Sequence, residues 1–268
     1  MPRFLSAVGV LQMDLCLDYS ILKGYSSSSQ KVRVISERWV AQNLYCPVCG
    51  NMVLSQYTAN KPVADFFCEV CGEDFELKAK SASRPNVIQN RIINGAYSTM
   101  IERITALHNP NLLYMTYSSM RVANMLIIPK FFFVPDIIEK RKALGPTARR
   151  AGWVGCNINL ANVPEIGRIS IIVDGLPKEP QQVVDEYTKA ALIRTDSIEK
   201  RGWLLDVLRC VDQLPAEFTL RDMYGFTEQI ASLHPNNNNV QAKIRQQLQI
   251  LRDKGFIEFT ARGSYRKI

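Results

Sequence analysis

Histidine is nearly absent. The chain of 268 residues has two, His108 and His234. Each stands alone at the end of a helix-like stretch, where a capping or solvated role is the plain reading. Ser-His-Asp and Cys-His catalysis are therefore poorly supplied. Long apolar runs are missing too: no stretch of about 18 uncharged apolar residues occurs, which argues against a membrane span. The opening MPRFLSAVGVLQMDLCLDY faintly suggests a signal peptide. Asp14 interrupts its apolar stretch and no small-residue cleavage site follows, so a folded N-terminus is expected. Acidic residues are outnumbered, 25 Asp and Glu against 33 Lys and Arg, leaving a net charge of +8. That balance favours a polyanionic partner, nucleic acid before a membrane surface. Disorder is excluded, because 47% of the residues are hydrophobic and only 22% charged; one large domain or two ordinary ones can be built.

The cysteines number seven, an odd count that does not suit a secreted disulfide framework. Four of them form two matching knuckles, Cys46-Pro47-Val48-Cys49-Gly50 and Cys68-Glu69-Val70-Cys71-Gly72, with 18 residues between Cys49 and Cys68. A two-residue gap lets both sulfurs of a knuckle reach one ion, and the glycine permits the tight turn that aims N–H groups at the thiolates. Four thiolates close a tetrahedron and leave no open position, so the zinc expected here is structural. A redox role would need one pair, not two. Cys16, Cys156 and Cys210 have no partner spacing and read as buried thiols.

Helical spacing of Val32, Ile35, Trp39 and Val40 over residues 29–44 follows a serine run that offers an N-cap. Residues 62–80 read as two short strands around the second knuckle. A helix is expected over 96–107, with Met100, Ile101 and Ile104 on one side, and strands over 112–118 and 122–129. Residues 141–153 form a basic loop without a clear period, 168–175 a buried strand, and the proline-bearing LPKEPQQ an edge or connection. From about residue 195 the pattern changes to helices over 197–213, 219–233 and 239–254, then FIEFT and SYRKI around Arg262-Gly263. Three helices and a hairpin in this order read as a winged helix-turn-helix.

Chemistry gathers around the second knuckle. Asp65 precedes it, and Glu76-Leu77-Lys78 follows it. On a strand, Glu76 and Lys78 share a face and Leu77 takes the other. If 63–67 and 74–79 pair around the knuckle, Asp65 lies beside Glu76. Two adjacent carboxylates repel each other and attract a divalent cation. Oxygen-only ligands with open positions suit Mg²⁺ or Mn²⁺. A neighbouring lysine can orient water or neutralise charge growing on a phosphate. These are the parts that phosphodiester hydrolysis requires.

The third C-terminal helix carries a second constellation. Val240, Ile244, Leu248 and Leu251 share a face suited to packing. Asn239, Ala242, Gln246 and Gln249 lie opposite, flanked by Lys243 and Arg245. Glutamine can pair with an adenine edge and alanine can touch a methyl group. Residues 239–268 hold seven basic side chains against two acidic ones, a phosphate-facing balance.

The stretch PVADFFCEVCGEDFELKAK resembles the active-site hairpin of the PD-(D/E)xK nuclease superfamily with an embedded zinc site. More closely, SQKVRVISERWVAQNLYCPVCGN, NGAYSTM, LGPTARRAGWVGCNINL and KIRQQLQILRDKGFIEFTARGSYRKI are similar to the DpnI-type methyl-directed restriction endonucleases, from about residue 29 to the end. The resemblance implies an α/β (α+β) restriction-endonuclease-like catalytic domain over 1–194 and a winged helix-turn-helix domain over 195–268. It implies cleavage of double-stranded DNA at GATC when the adenine is methylated on its exocyclic amine. Asp65, Glu76 and Lys78 would be catalytic, Asp65 and Glu76 would bind Mg²⁺, and Cys46, Cys49, Cys68 and Cys71 would hold Zn²⁺. Trp153, after Arg149 and Arg150, matches the family's methyl-sensing tryptophan. With the helix residues above and Arg262, these side chains form the expected DNA surface. A cytoplasmic bacterial enzyme with no membrane partner is implied, compatible with a monomer. The proline stands three residues before Asp65 rather than next to it, a departure from the superfamily that the closer relatives share.

Two other functions remain open at this level. A non-catalytic, zinc-stabilised winged-helix regulator would explain charge, zinc and wing, but leaves Asp65, Glu76 and Lys78 without a role. A structure-selective repair or resolvase nuclease would share the carboxylates but not the methyl requirement.

Overall fold

The computed structural model describes residues 13–58, 64–83, 88–195 and 197–268. Most of the N-terminal stretch expected to be folded lies outside these residues, as do Pro62 and Val63 of the hairpin motif. The described strands, in chain order, are β1 (Ser55–Gln56), β2 (Phe66–Phe67), β3 (Asp74–Ser81), β4 (Arg91–Ala96), β5 (Asn111–Ser118), β6 (Arg121–Ile128), β7 (Ile138–Lys140), β8 (Gly155–Asn159), β9 (Ile169–Val173), β10 (Leu176–Pro177), β11 (Glu217–Thr219), β12 (Ile257–Ala261) and β13 (Ser264–Lys267). The α-helices are α1 (Ser28–Asn43), α2 (Tyr97–Thr105), α3 (Pro180–Ala191), α4 (Ile198–Asp212), α5 (Leu220–Tyr224), α6 (Thr227–Leu233) and α7 (Val240–Asp253).

These elements fall into two compact units, each built from three chain segments. The first comprises Met1–Ile92, His108–Lys130 and Ile166–Ala191; the second comprises Ile93–Leu107, Phe131–Glu165 and Leu192–Ile268. Helix α2 and the segment holding β7 and β8 thus group with the C-terminal helices.

In the first unit a seven-stranded sheet runs in the order β1-β2-β3-β5-β6-β9-β10. Only the β3–β5 pair is parallel among its registered neighbours. Strands β5 and β6 are buried at almost every position, so their sequences are continuous apolar runs rather than alternating ones. Helix α1 lies against β3 and buries Ile35, Trp39 and Val40. The Trp39 indole N–H donates to the Asp14 carbonyl at 2.7 Å.

Residues 180–191, where no helix was expected, form α3 and bury Val183, Tyr187 and Ala190. Pro180 does not break this helix. It occupies the first position, where its missing N–H has no partner to lose.

The second unit holds the sheet β4-β8-β7 and a separate sheet β11-β13-β12. Of the three apolar residues expected inside α2, Met100 and Ile104 are buried and Ile101 is half-buried. The stretch 219–233 is two helices, not one. Thr219 and Asp222 form a reciprocal capping box at the start of α5, and Gly225 closes it before α6 begins. The hairpin β12–β13 gains a third strand, β11. On α7, Val240, Ile244, Leu248 and Leu251 are buried as their period required, and Gln247 joins them. Among the described residues no helix is long and apolar enough to cross a membrane.

Candidate active site

The hairpin β2–β3 pairs Phe66 with Phe75 and Phe67 with Asp74, which brings Asp65 opposite Glu76. The Asp65 N–H donates to the Phe75 carbonyl at 2.9 Å. Its carboxylate Oδ2 accepts from the Leu77 N–H at 2.7 Å, which ties the side chain to the neighbouring strand. Glu76 and Lys78 share a face, with Lys78 Nζ 2.7 Å from Glu76 Oε1, while Leu77 is buried on the other. Burial raises the Asp65 carboxyl above its ordinary pKa; the Leu77 N–H and the Lys78 ammonium oppose this, and the Glu76 carboxylate adds to it. A half-buried carboxylate facing a second carboxylate and a lysine suits a divalent ion.

Asp65, Leu77, Lys78 and Ala79 form one wall of a cleft of about 590 Å³. Helix α1 forms the other, through Ser29, Val32, Arg33, Ser36 and Glu37. Sequence reasoning used α1 only for its apolar stripe and passed over this polar side. The signal was present as Arg33 and Glu37 four residues apart, a helical ion pair closed here at 2.6 Å.

The turn of the hairpin is the second cysteine knuckle. The Gly50 and Gly72 N–H groups donate back to the Cys46 and Cys68 carbonyls, each at 2.9 Å, and both glycines have positive φ, +76° and +71°. The knuckles are therefore alike in backbone as well as in spacing. All four sulfurs lie within 4.8 Å of one another, with Cys46–Cys71 at 3.7 Å and Cys49–Cys68 at 3.6 Å. A tetrahedral ion with Zn–S bonds of about 2.3 Å needs sulfurs about 3.8 Å apart, so the cluster fits zinc. Burial pushes the Cys46 thiol up and Cys71 to about 11. It opposes ionisation at Cys68 too, but N–H groups of Cys71 and Val70 hold that thiol down to about 7. Of the remaining cysteines, Cys156 and Cys210 are buried as expected. Cys16 is exposed instead, because it lies in an isolated bridge to Arg121 at the margin of the sheet.

In the second unit the basic loop is ordered by its own backbone. Leu144 N–H donates to the Trp153 carbonyl, Gly152 N–H to the Leu144 carbonyl and Trp153 N–H to the Arg150 carbonyl. Arg149 and Arg150 are exposed, and the Arg150 guanidinium stacks 4.7 Å from the half-buried Trp153 ring. A Cβ added at Gly155 would meet the indole carbons Cζ3 and Cη2 at 2.8 Å, so the ring rests directly on bare backbone.

The polar face of α7 is open: Asn239, Ala242, Arg245, Gln246 and Gln249 are exposed. Lys243 is half-buried, with its ammonium 5.7 Å from the Trp203 ring centre. Arg245 is held by the Tyr224 hydroxyl. The seven C-terminal cations are not all available to phosphate. Arg266 pairs with Glu217 and Glu258, and Arg252 with Asp253. Lys254 and Lys267 donate to backbone carbonyls. Arg262, at the tip of the β12–β13 hairpin, is exposed. His108 is exposed, whereas His234 is the C-cap of α6, its N–H donating to the Ile230 and Ala231 carbonyls at 3.1 Å, and its ring is not freely solvated: it stacks on Trp203 at 3.7 Å and bonds Asp206 Oδ2 at 2.8 Å.

The comparison with protein families gives two matches. A family model described as DpnI, Dam-replacing family, matches residues 13–196. A second, described as the DpnI C-terminal Dam-replacing helix-turn-helix domain, matches residues 199–267.

Proposed function

The chain belongs to the DpnI Dam-replacing family, and from that premise we propose that it is a methyl-directed restriction endonuclease. Its substrate is double-stranded DNA, cut at GATC sites whose adenine carries a methyl group. The observation that carries this reading is the hairpin: Asp65, Glu76 and Lys78 meet on two strands whose connecting turn is half of a four-cysteine cluster. A DNA-binding regulator would have no use for that grouping.

Asp65 and Glu76 would hold Mg²⁺, which when bound supplies positive charge against the phosphodiester. Lys78, fixed by Glu76, directs an ammonium to the same face, where it orients water or offsets charge growing on the phosphoryl oxygens. Asp65 cannot swing away while the Leu77 N–H holds its Oδ2. Cys46, Cys49, Cys68 and Cys71 would hold zinc in a structural part, tying the turn of the hairpin to the first knuckle. In this reading residues 1–194 form the nuclease domain and 195–268 the winged helix.

Methylation leaves one N–H on the adenine amine and puts a methyl group into the major groove. The Trp153 face and the α7 row of Ala242, Gln246 and Gln249 are of the right chemistry for methyl and adenine edge respectively. Arg149, Arg150, Lys243, Arg245 and Arg262 supply phosphate contacts, which fix register without reading sequence.

Incubation of the protein and Mg²⁺ with plasmid carrying or lacking adenine methylation tests the proposal. Fragments from methylated plasmid alone are expected. Cleavage of both would favour a structure-selective nuclease, and DNA binding with no cleavage a regulator.

A further inference from the structure

Arg33 lines the cleft beside Asp65, and the two charges interact. Its side chain is 55% exposed, yet its direction is fixed at the base. The Nε–H donates to Glu37 Oε1 at 2.6 Å, and Glu37 Oε2 accepts from Gln56 Nε2 at 3.0 Å. Gln56 stands on β1, opposite Phe66 of β2, and the Tyr57 N–H donates to the Asp65 carbonyl at 2.9 Å. Helix α1 and the strand leading into Asp65 are thus joined through one carboxylate, itself only 14% exposed. With Nε so engaged, both terminal nitrogens of the guanidinium have no hydrogen bond or ion pair among the described residues. Ser29, in the first turn of α1, lines the same cleft, and the Ser27 side chain does not cap that end of the helix. The helix end adds positive potential there.

A braced guanidinium with two open nitrogens fits one ligand chemistry well, two oxygens of a phosphate. We infer that Arg33 binds a backbone phosphate of the strand being cut, and that Glu37 is the positioning residue that sets the direction of its guanidinium. The inference rests on the nuclease reading above and adds to it a residue outside the carboxylate–lysine set. Arg33 fixes the phosphodiester backbone against Asp65, which is a contribution to orientation at the reacting phosphorus.

The test uses the full-length protein, Mg²⁺, and methylated GATC duplexes with one uncharged methylphosphonate placed in turn at each linkage around the cut. Wild type is expected to lose at least tenfold in cleavage rate at one such linkage besides the scissile one. Arg33→Ala should lose a similar factor on the all-phosphate duplex and lose nothing further at that linkage. Arg33→Lys should keep the charge but recover the rate only in part, and Glu37→Gln should fall between wild type and Arg33→Ala. If Arg33→Ala cuts the all-phosphate duplex at the wild-type rate, or stays as sensitive as wild type to every neutral linkage, the inference is overturned. A wild-type protein that leaves methylated duplex uncut overturns the nuclease reading, and this inference with it.

Discussion

Gly155→Ala adds a single methyl group, and its effect can be worked through from the structure. The new Cβ would sit 2.8 Å from Cζ3 and Cη2 of Trp153. Carbon atoms pack at about 3.5–4.0 Å, so either the strand or the ring must give by roughly 0.7–1.2 Å. The backbone is held: the Gly155 carbonyl accepts from Arg141 N–H at 2.9 Å, and the adjoining Val154 carbonyl from Tyr97 N–H at 3.0 Å. The indole is half-buried and has solvent on one side, so it is the part that moves. Its displacement breaks the Arg150 stack and shifts the apolar face proposed to meet the adenine methyl. A well-made base contact is worth about 1–3 kcal/mol, so the preference for methylated over unmethylated duplex should shrink by about 5- to 150-fold. Steady-state kcat/KM on matched duplexes measures the ratio, and thermal melting checks that the variant remains folded. If a folded Gly155→Ala enzyme keeps its wild-type ratio, Trp153 does not read the methyl group.

Further outcomes follow from other parts of the molecule. Asp65→Ala should abolish cleavage while methylated DNA is still retained in a gel-shift assay; wild-type cleavage rates would contradict the assignment. Protein purified without added metal should contain one zinc per chain by elemental analysis, and Cys68→Ser or Cys71→Ser should lose it together with activity; structural zinc contributes about 10–16 kcal/mol in small modules, comparable to a whole domain's stability. Ala242→Glu should lower affinity for methylated and unmethylated duplexes and erase the difference between them, as read by fluorescence anisotropy; an intact preference would remove α7 from methyl recognition. The Thr219 hydroxyl and N–H hold the Asp222 carboxyl below its ordinary pKa, so this cap stabilises the fold above the usual carboxylate range and fades as pH falls through the lowered value. Asp222→Asn should therefore melt earlier than wild type at pH 7, with the gap closing as pH falls below the usual carboxylate range; a pH-independent gap would contradict this.

Local chemistry was the legible part of this chain. The two knuckles, the hairpin strands around the second, and the apolar face of α7 each announced themselves through spacing over a few residues. Elements whose partners are distant did not. Strands β7 and β8 are short and meet through residues 16 to 20 apart, and no period marks them. Helix α3 was hidden by prolines that resemble a connection until Pro180 is seen at a helix start. At the candidate site, residue type and spacing singled out Asp65, Glu76 and Lys78, which the hairpin brings together. Arg33, Glu37 and Gln56 form a unit only after α1 and β1 are brought together, and sequence separation conceals that. Gly155 could not be singled out because its importance is the absence of atoms beside Trp153.

The order of strands bears on how the chain is made. Strand β6 is buried along Val122–Ile128, and its outer neighbour β9 lies about 40 residues downstream, after a segment that belongs to the other unit. During synthesis the ribosome delivers Asp65, Glu76 and Lys78 long before it delivers the strand that covers β6. A chain halted in that interval leaves β6 as a bare apolar edge, the kind of surface that associates with other chains. Incomplete products should thus associate or be proteolysed rather than accumulate as folded protein.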